Sequence, residues 1–186
     1  GPQSAGERVV APLKEFGPPV MDFIGPTSYS ALQTMFDAGM ATTTRSYWRS
    51  SFMQALGDDL LDSLVDHAAD MPRPATLLLI EHMGGAIGRV GENETAFANR
   101  GAGYNVSVLS AWLDAEDDER NIAWTRQFGD ALSASSTGGA YVNYMANSDD
   151  PEAVRAAYEA NFERLASVKR KYDPDDFFNS GELLKS

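Results

Sequence analysis

Apolar residues recur at three- and four-residue spacing in three stretches, each of which predicts a helix. From Asp58 the positions Leu60, Leu61, Leu64, Val65 and Ala68 follow an acidic first turn, and Pro72 and Pro74 end the pattern. Residues 116–132 open on Glu116, Asp117, Asp118 and Glu119, suited to a helix N-terminus, and place Trp124, Phe128 and Leu132 on one face. A third helix starts at Asp150 as cap and Pro151 as first residue; its buried stripe is Val154, Tyr158, Phe162, Leu165, Val168 and Tyr172, with a bend at Asn161. Nearer the N-terminus, residues 7–16 form a short helix with Val9, Val10 and Leu13 on one side, tightened at Pro12 and stopped by Gly17-Pro18-Pro19. Thr27 or Ser28 caps another, with Leu32, Met35 and Phe36 facing inward, and residues 38–44 are loop-like.

Strand patterns fill the intervals. Residues 20–24 end at Gly25-Pro26, and residues 44–52 carry Tyr47, Trp48 and Phe52 around Arg49. Residues 76–81 are a nearly continuous apolar run, which predicts a central strand. After the Gly84-Gly85 turn, residues 86–90 pair back as a strand. Residues 105–112 alternate, with Val106, Val108 and Trp112 on a packed face and Asn105, Ser107 and Leu109 on a wet one. Finally Gly138-Gly139 releases a short aromatic strand over residues 140–144, with Tyr141 and Asn143 on one face and Val142 and Tyr144 on the other. Irregular alternation of strands and helices with hairpin-scale links implies an α+β fold: a mostly antiparallel β-sheet covered on one face by α-helices.

Charge and composition narrow the function. A formal net charge of −12 over 186 residues argues against nucleic acid and against anionic membrane surfaces as partners. Cysteine is absent, which removes disulfides, thiolate metal ligands and a cysteine nucleophile from this chain. No apolar run reaches membrane-span length and no signal segment precedes the fold, a pattern that favours a soluble, cytoplasmic protein. His67 and His82 match no compact ligand spacing and no triad motif, so neither a metal site nor hydrolytic chemistry is expected. Nor is there a G-x-G-x-x-G dinucleotide fingerprint. Gly1-Pro2 has the look of a scar left by tag removal.

The order Tyr141-Val142-Asn143-Tyr144, the Pro151-Glu152 helix start, Phe162-Glu163-Arg164-Leu165 with Lys169 downstream, and Tyr172-Asp173-Pro174-Asp175-Asp176-Phe177-Phe178 resembles the C-terminal signature of the berberine-bridge-enzyme-like flavin oxidases. Upstream likenesses at Gly17-Pro18-Pro19, Tyr47-Trp48-Arg49-Ser50, Gly84-Gly85, residues 95–100, Tyr104 and Trp112 extend it over nearly the whole chain. The resemblance implies that residues 3–172 are the substrate-binding domain of an FAD-dependent oxidoreductase. Residues 173–186 would return to an N-terminal FAD domain missing here, and that tail is expected to be poorly held.

Carried over position by position, Tyr144 stands where many members keep a catalytic tyrosine base, and Tyr141 and Asn143 stand at cofactor contacts. Asn105, Ser107 and Trp48 fall on the face toward substrate. Asn105 occupies the place of a glutamate base in some plant members, and an amide cannot abstract a proton. Asn99 replaces a frequent histidine, Asp176 a usual asparagine, and the ending Gly181-Glu182-Leu183-Leu184 lacks a common Asn-Gln pair. The implied cofactor is FAD in the full-length protein, not held by this portion alone; the implied partners are the FAD domain and a small-molecule substrate, with self-association left open. Read without the resemblance, the same residues also suit a stand-alone small-molecule-binding or protein-interaction domain without flavin chemistry, or a flavin-free catalyst using Tyr144.

Overall fold

A computed structural model describes residues 2–37, 44–72, 76–145 and 151–179. The chain divides into two compact units, Gly1–Thr42 and Thr43–Ser186. In the first, helix α1 (Gln3–Glu15) continues past Pro12, and α2 (Tyr29–Gln33) is capped by Ser28, whose hydroxyl accepts from the Ala31 amide. Neither helix buries a residue, and Leu32, Met35 and Phe36 are exposed, contrary to the inward stripe expected. Residues 20–24 form no strand; Lys14 instead ties them to α1 through the Ile24 carbonyl (3.0 Å) and Asp22 (3.0 Å). The expected loop at 38–44 lies, apart from Thr44, outside the described residues, as do Pro74, Asp150 and the 181–184 ending.

The second unit is built on three antiparallel strands, β1 (Arg45–Met53), β2 (Leu77–His82) and β3 (Tyr104–Trp112), in the order β1-β3-β2. β3 is therefore the centre of the sheet, and the apolar β2 lies at its edge, reversing the sequence expectation. Burial explains why: every β3 residue from Asn105 to Trp112 is buried, whereas β2 keeps Leu77 and Ile80 exposed. Tight approach of the chain leading into β3 depends on Gly103, where a Cβ would come within 2.3 Å of the Gln54 carbonyl oxygen.

Side chains alternate across the sheet, so the register fixes two faces. Met53, Val106 and Val108 point one way and meet Leu60 and Leu64 of α3 (Asp58–Ala69) and Trp124, Phe128 and Leu132 of α4 (Asp118–Ser133) in the core. Trp124, Phe128 and Leu132 lie on one stripe as expected; Leu61 and Val65 of α3 face solvent. His67 is absorbed into this packing, with Nδ1 2.8 Å from the Ser63 carbonyl oxygen and its ring 5.1 Å from that of Phe128. The opposite face carries Trp48, Ser50 and Phe52 from β1, Asn105, Ser107 and Leu109 from β3, and Leu79 and Glu81 from β2. The α+β class, with an antiparallel sheet backed by helices, is the one that the periodicities imply.

Two short segments expected to be strands are 3-10 turns, Ile87–Arg89 and Val142–Tyr144. The C-terminal helix is split into α5 (Pro151–Tyr158) and α6 (Phe162–Tyr172) by a 3-10 turn over Glu159–Asn161, where Glu159 takes φ 47°. Buried Asn161 sits at this break and donates to the Glu92 carbonyl (2.7 Å), so the bend is pinned by a side-chain bond. Beyond it the apolar stripe fails, for Val168 and Tyr172 are exposed.

Residues 173–178, just after α6, are held, not loose. Lys169 Nζ binds Asp173 Oδ2, Asp176 Oδ1 (2.6 Å) and the Phe178 carbonyl (2.8 Å), while Asp173 accepts from the Phe177 and Phe178 amides. Local charge and backbone bonding thus replace the apolar burial that this stretch lacks.

Candidate functional site

The face away from the helices is not bare. Thr137 donates its amide to the Phe52 carbonyl (2.8 Å), and Tyr141 donates its own to Ser50 Oγ (3.0 Å), so residues 136–141 run beside β1. Gly138 and Gly139 take φ 99° and 70° on the way, a left-handed geometry costly for other residues. A Cβ at Gly139 would also stand 3.0 Å from Asn99 Oδ1, so this approach requires glycine twice over.

The tight turn that follows changes which side chains meet. In a 3-10 turn, residues three apart line up. The Tyr141 and Tyr144 rings accordingly lie edge to face at 5.1 Å, whereas an extended strand would have sent them to opposite faces. Trp48 closes on Tyr144 at 6.0 Å, and Phe97 bridges Tyr141 and Phe52 at 5.9 Å each, giving a continuous aromatic wall over the sheet. Asn143 stays exposed and donates through Nδ2 to the Tyr141 hydroxyl (2.8 Å).

Beside this wall is a polar knot. Glu81 accepts from Asn105 Nδ2 at 2.8 Å with one oxygen and from the Tyr144 hydroxyl at 3.4 Å with the other. Asn105 Oδ1 and Ser107 Oγ are buried with no hydrogen-bond partner among the described residues. The wet face expected of Asn105 and Ser107 is thus closed, for the sheet neighbours and the wall exclude solvent; Asn105 is 2% exposed and Ser107 0%. Buried unpaired acceptors cost about 1–3 kcal/mol each, which makes them unusual outside sites that meet another polar group. Partial burial, then the Glu81 charge and the neighbouring Tyr141, push the Tyr144 phenol up to about 12.

Of the residues singled out from sequence, Tyr141, Tyr144, Trp48, Asn105 and Ser107 gather on one face, with Asn143 at its rim. Sequence reasoning missed Glu81 and Phe97. The signal for Glu81 was an acid ending an apolar strand, where the antiparallel register sets it opposite Asn105.

An antiparallel sheet packed on α3 and α4 by one face, with an aromatic wall and a carboxylate–phenol pair closing the other, makes this unit an α+β domain. Residues 140–182 match the family described as berberine and berberine like. The FAD-linked oxidoreductase YgaK of Bacillus subtilis, itself uncharacterised, is 28% identical over 96% of this chain and 40% of its own length. Among solved structures, GilR, an oxidoreductase that catalyses the terminal step of gilvocarcin biosynthesis, is 32% identical with a TM-score of 0.62, covering 71% of this chain and 31% of that one. BBE-like 1 of the moss Physcomitrella patens covers the whole chain and 43% of its own at a TM-score of 0.73; at 18% identity it speaks for the fold. Residues 140–182 thus carry the berberine and berberine-like pattern, and nearly the whole chain is similar to part of a longer FAD-linked oxidoreductase. The chain spans 40% or less of the length of the curated relatives it matches.

Proposed function

We propose that this chain forms the substrate-binding portion of an FAD-dependent oxidoreductase acting on an alcohol, sugar or natural-product substrate, with Tyr144 as the base. The observation that carries the reading is the Tyr144–Glu81 contact on the sheet face opposite the helical core, next to two unpaired buried acceptors. The residues present suit the ring end of such a cofactor: Asn143 offers an exposed amide beside Tyr141, and these two would hold it. Nothing among the described residues supplies a glycine-rich phosphate cradle, so the rest of the cofactor needs other polypeptide. Bound FAD supplies the hydride acceptor.

The chain's own residues manage the proton. A phenol held near 12 carries almost no phenolate at neutral pH, so Tyr144 cannot wait as a free anion. Its proton already points at Glu81. As the Tyr144 oxygen takes the proton of a substrate hydroxyl, its own proton passes to the Glu81 carboxylate, and the substrate C–H leaves as hydride. At 3.4 Å that path is long, as unliganded acid–base contacts often are. Trp48, edge to face with Tyr144, walls the substrate; Asn105 and Ser107, buried behind the aromatic wall, do not reach it and support the site from beneath, Asn105 by donating to Glu81.

Replacing Tyr144 with Phe in the protein extended by its flavin-binding part keeps the ring contacts and removes only the hydroxyl. Substrate oxidation in a single anaerobic turnover is expected to fall about a hundred- to ten-thousandfold, with apparent substrate affinity little changed. An unchanged rate removes Tyr144 from the base role. The 186-residue chain by itself is expected to be colourless after desalting; retention of one yellow cofactor per chain would show that the binding site is self-contained.

A further inference from the structure

Across the sheet from Tyr144, two arginines converge on one phenol. Tyr47 and Arg49 alternate with Trp48 along β1, so they project toward α4 while Trp48 projects toward Tyr144. Arg126 of α4 donates through Nε to the Tyr47 hydroxyl (3.3 Å). The guanidinium carbons of Arg49 and Arg126 stand 5.7 and 5.6 Å from the centre of that same ring. Gly129 of α4 makes room for the Arg49 stem, since a Cβ there would come within 3.2 Å of Arg49 Cγ. Partial burial acts to raise the Tyr47 phenol, yet the Arg126 hydrogen bond and the two positive charges bring it below its ordinary value. Both guanidiniums therefore bear on the hydroxyl end of the ring as well as on its face.

Neither arginine has a carboxylate within ion-pair distance among the described residues. Arg45, on the same face of β1, shows the ordinary outcome in this chain, for it binds both oxygens of Asp118. With 27 acidic against 15 basic residues such partners are in surplus, yet here two like charges share one phenol and an anion between them would relieve their repulsion. Each guanidinium keeps donors that the ring does not use, and the Tyr47 hydroxyl, having accepted from Arg126, still has its own proton to give. Two positive charges and a hydroxyl donor suit a doubly charged group with three acceptor oxygens, whereas a carboxylate brings one charge and two oxygens. We propose that Tyr47, Arg49 and Arg126 form a binding site for a phosphoryl group, carried by free phosphate or by a small phosphate monoester. The net charge of −12 opposes this little at contact range, because salt screens exposed charges beyond about 10 Å. The site is separate from the aromatic wall and stands whether or not Tyr144 is a base.

Calorimetric titration of the full-length protein with inorganic phosphate and with phenyl phosphate, in chloride buffer of fixed ionic strength, tests the site. Saturable binding is expected, and Arg49→Gln and Arg126→Gln are each expected to weaken it about tenfold or more, because each removes charge-assisted hydrogen bonds. Tyr47→Phe keeps the ring against both guanidiniums and removes only the hydroxyl, so it should weaken binding by a smaller factor. Arg120→Gln makes the same charge change at another exposed position of α4 and is expected to bind as the parent does. Equal affinity for the two ligands assigns the site to free phosphate, and tighter binding of phenyl phosphate assigns it to a monoester; either result supports the site. Absence of saturable binding by both ligands overturns it. So does acetate binding as tightly as phosphate, or an equal loss of affinity in Arg120→Gln and Arg126→Gln, which would reduce the effect to general charge.

Discussion

Tyr144 shows how one position acquires its character from neighbours that are far away in the chain. Its identity and its place after Asn143 are sequence facts; its ionisation is set by burial and by Glu81, 63 residues earlier. Because the folded phenol is raised from 10.0 to about 12, the fold favours its neutral form. The associated stability is fully present below pH 10 and is lost as pH rises through 12. Denaturation midpoints of the wild-type chain are expected to drop across that window, and those of Tyr144→Phe to drop less. Glu81→Gln removes the second-largest cause of the shift and leaves the largest, so ultraviolet titration of Tyr144 should show a value below the wild-type one and still above the ordinary one. A Glu81→Gln titration identical to wild type would show that the carboxylate does not feel the phenol.

Among the elements, α3, α4 and β3 agree with their periodic patterns, the long 150–172 stripe holds only as far as its break at Asn161, and the shortest segments take other forms. α3 and α4 follow from apolar spacing and acidic first turns, and β3 from its alternation. Residues 140–144 are too few to reveal their period, and their bonds to Ser50 and within the Tyr141–Tyr144 turn override β propensity. At the tail, a lysine and two aspartates substitute for apolar burial, invisible to any hydrophobic pattern. The hydrogen bond from Lys169 lowers the Asp173 carboxyl from its ordinary value, so the stability of this clasp is present above the ordinary 3.8 and fades as pH falls through the lowered value. Lys169→Met should raise the rate of limited proteolysis around Phe177 and Phe178 by about tenfold at neutral pH. Equal cleavage rates would mean that the clasp does not order the tail. In the approach to β3, Gly103→Ala is expected to destabilise by about 1–3 kcal/mol, read from denaturant midpoints, because the obstructing atom is backbone and cannot swing aside.

At the scale of the whole second unit the decisive quantity is the core between the sheet and helices α3 and α4. Phe128 is fully buried between α4 and the rest of that core, stacked at 5.7 Å on Trp124 and edge to face with His67. Phe128→Ala is expected to cost about 3–5 kcal/mol in chemical denaturation, a large fraction of the stability of an ordinary domain. A cost under 1 kcal/mol would mean that the sheet and α4 do not share this core. No helix among the described residues is long and apolar enough to cross a membrane.

The sequence by itself determined the α+β class and the helical face of the sheet, because periodicity is a property of neighbouring residues; that Tyr141 and Tyr144 share a face with Trp48 was decided by the tight turn over Val142–Tyr144. Only the tertiary structure decided strand order, and with it the exposure of β2 and the burial of Asn105 and Ser107. Pairing depends on which strands meet across gaps of twenty residues or more, and a run such as Leu77–His82 looks the same at the centre and at the edge. The partner of Tyr144 was likewise a tertiary decision: Glu81 reaches the phenol because the register sets it opposite Asn105 and a tight turn brings Tyr144 over the same face.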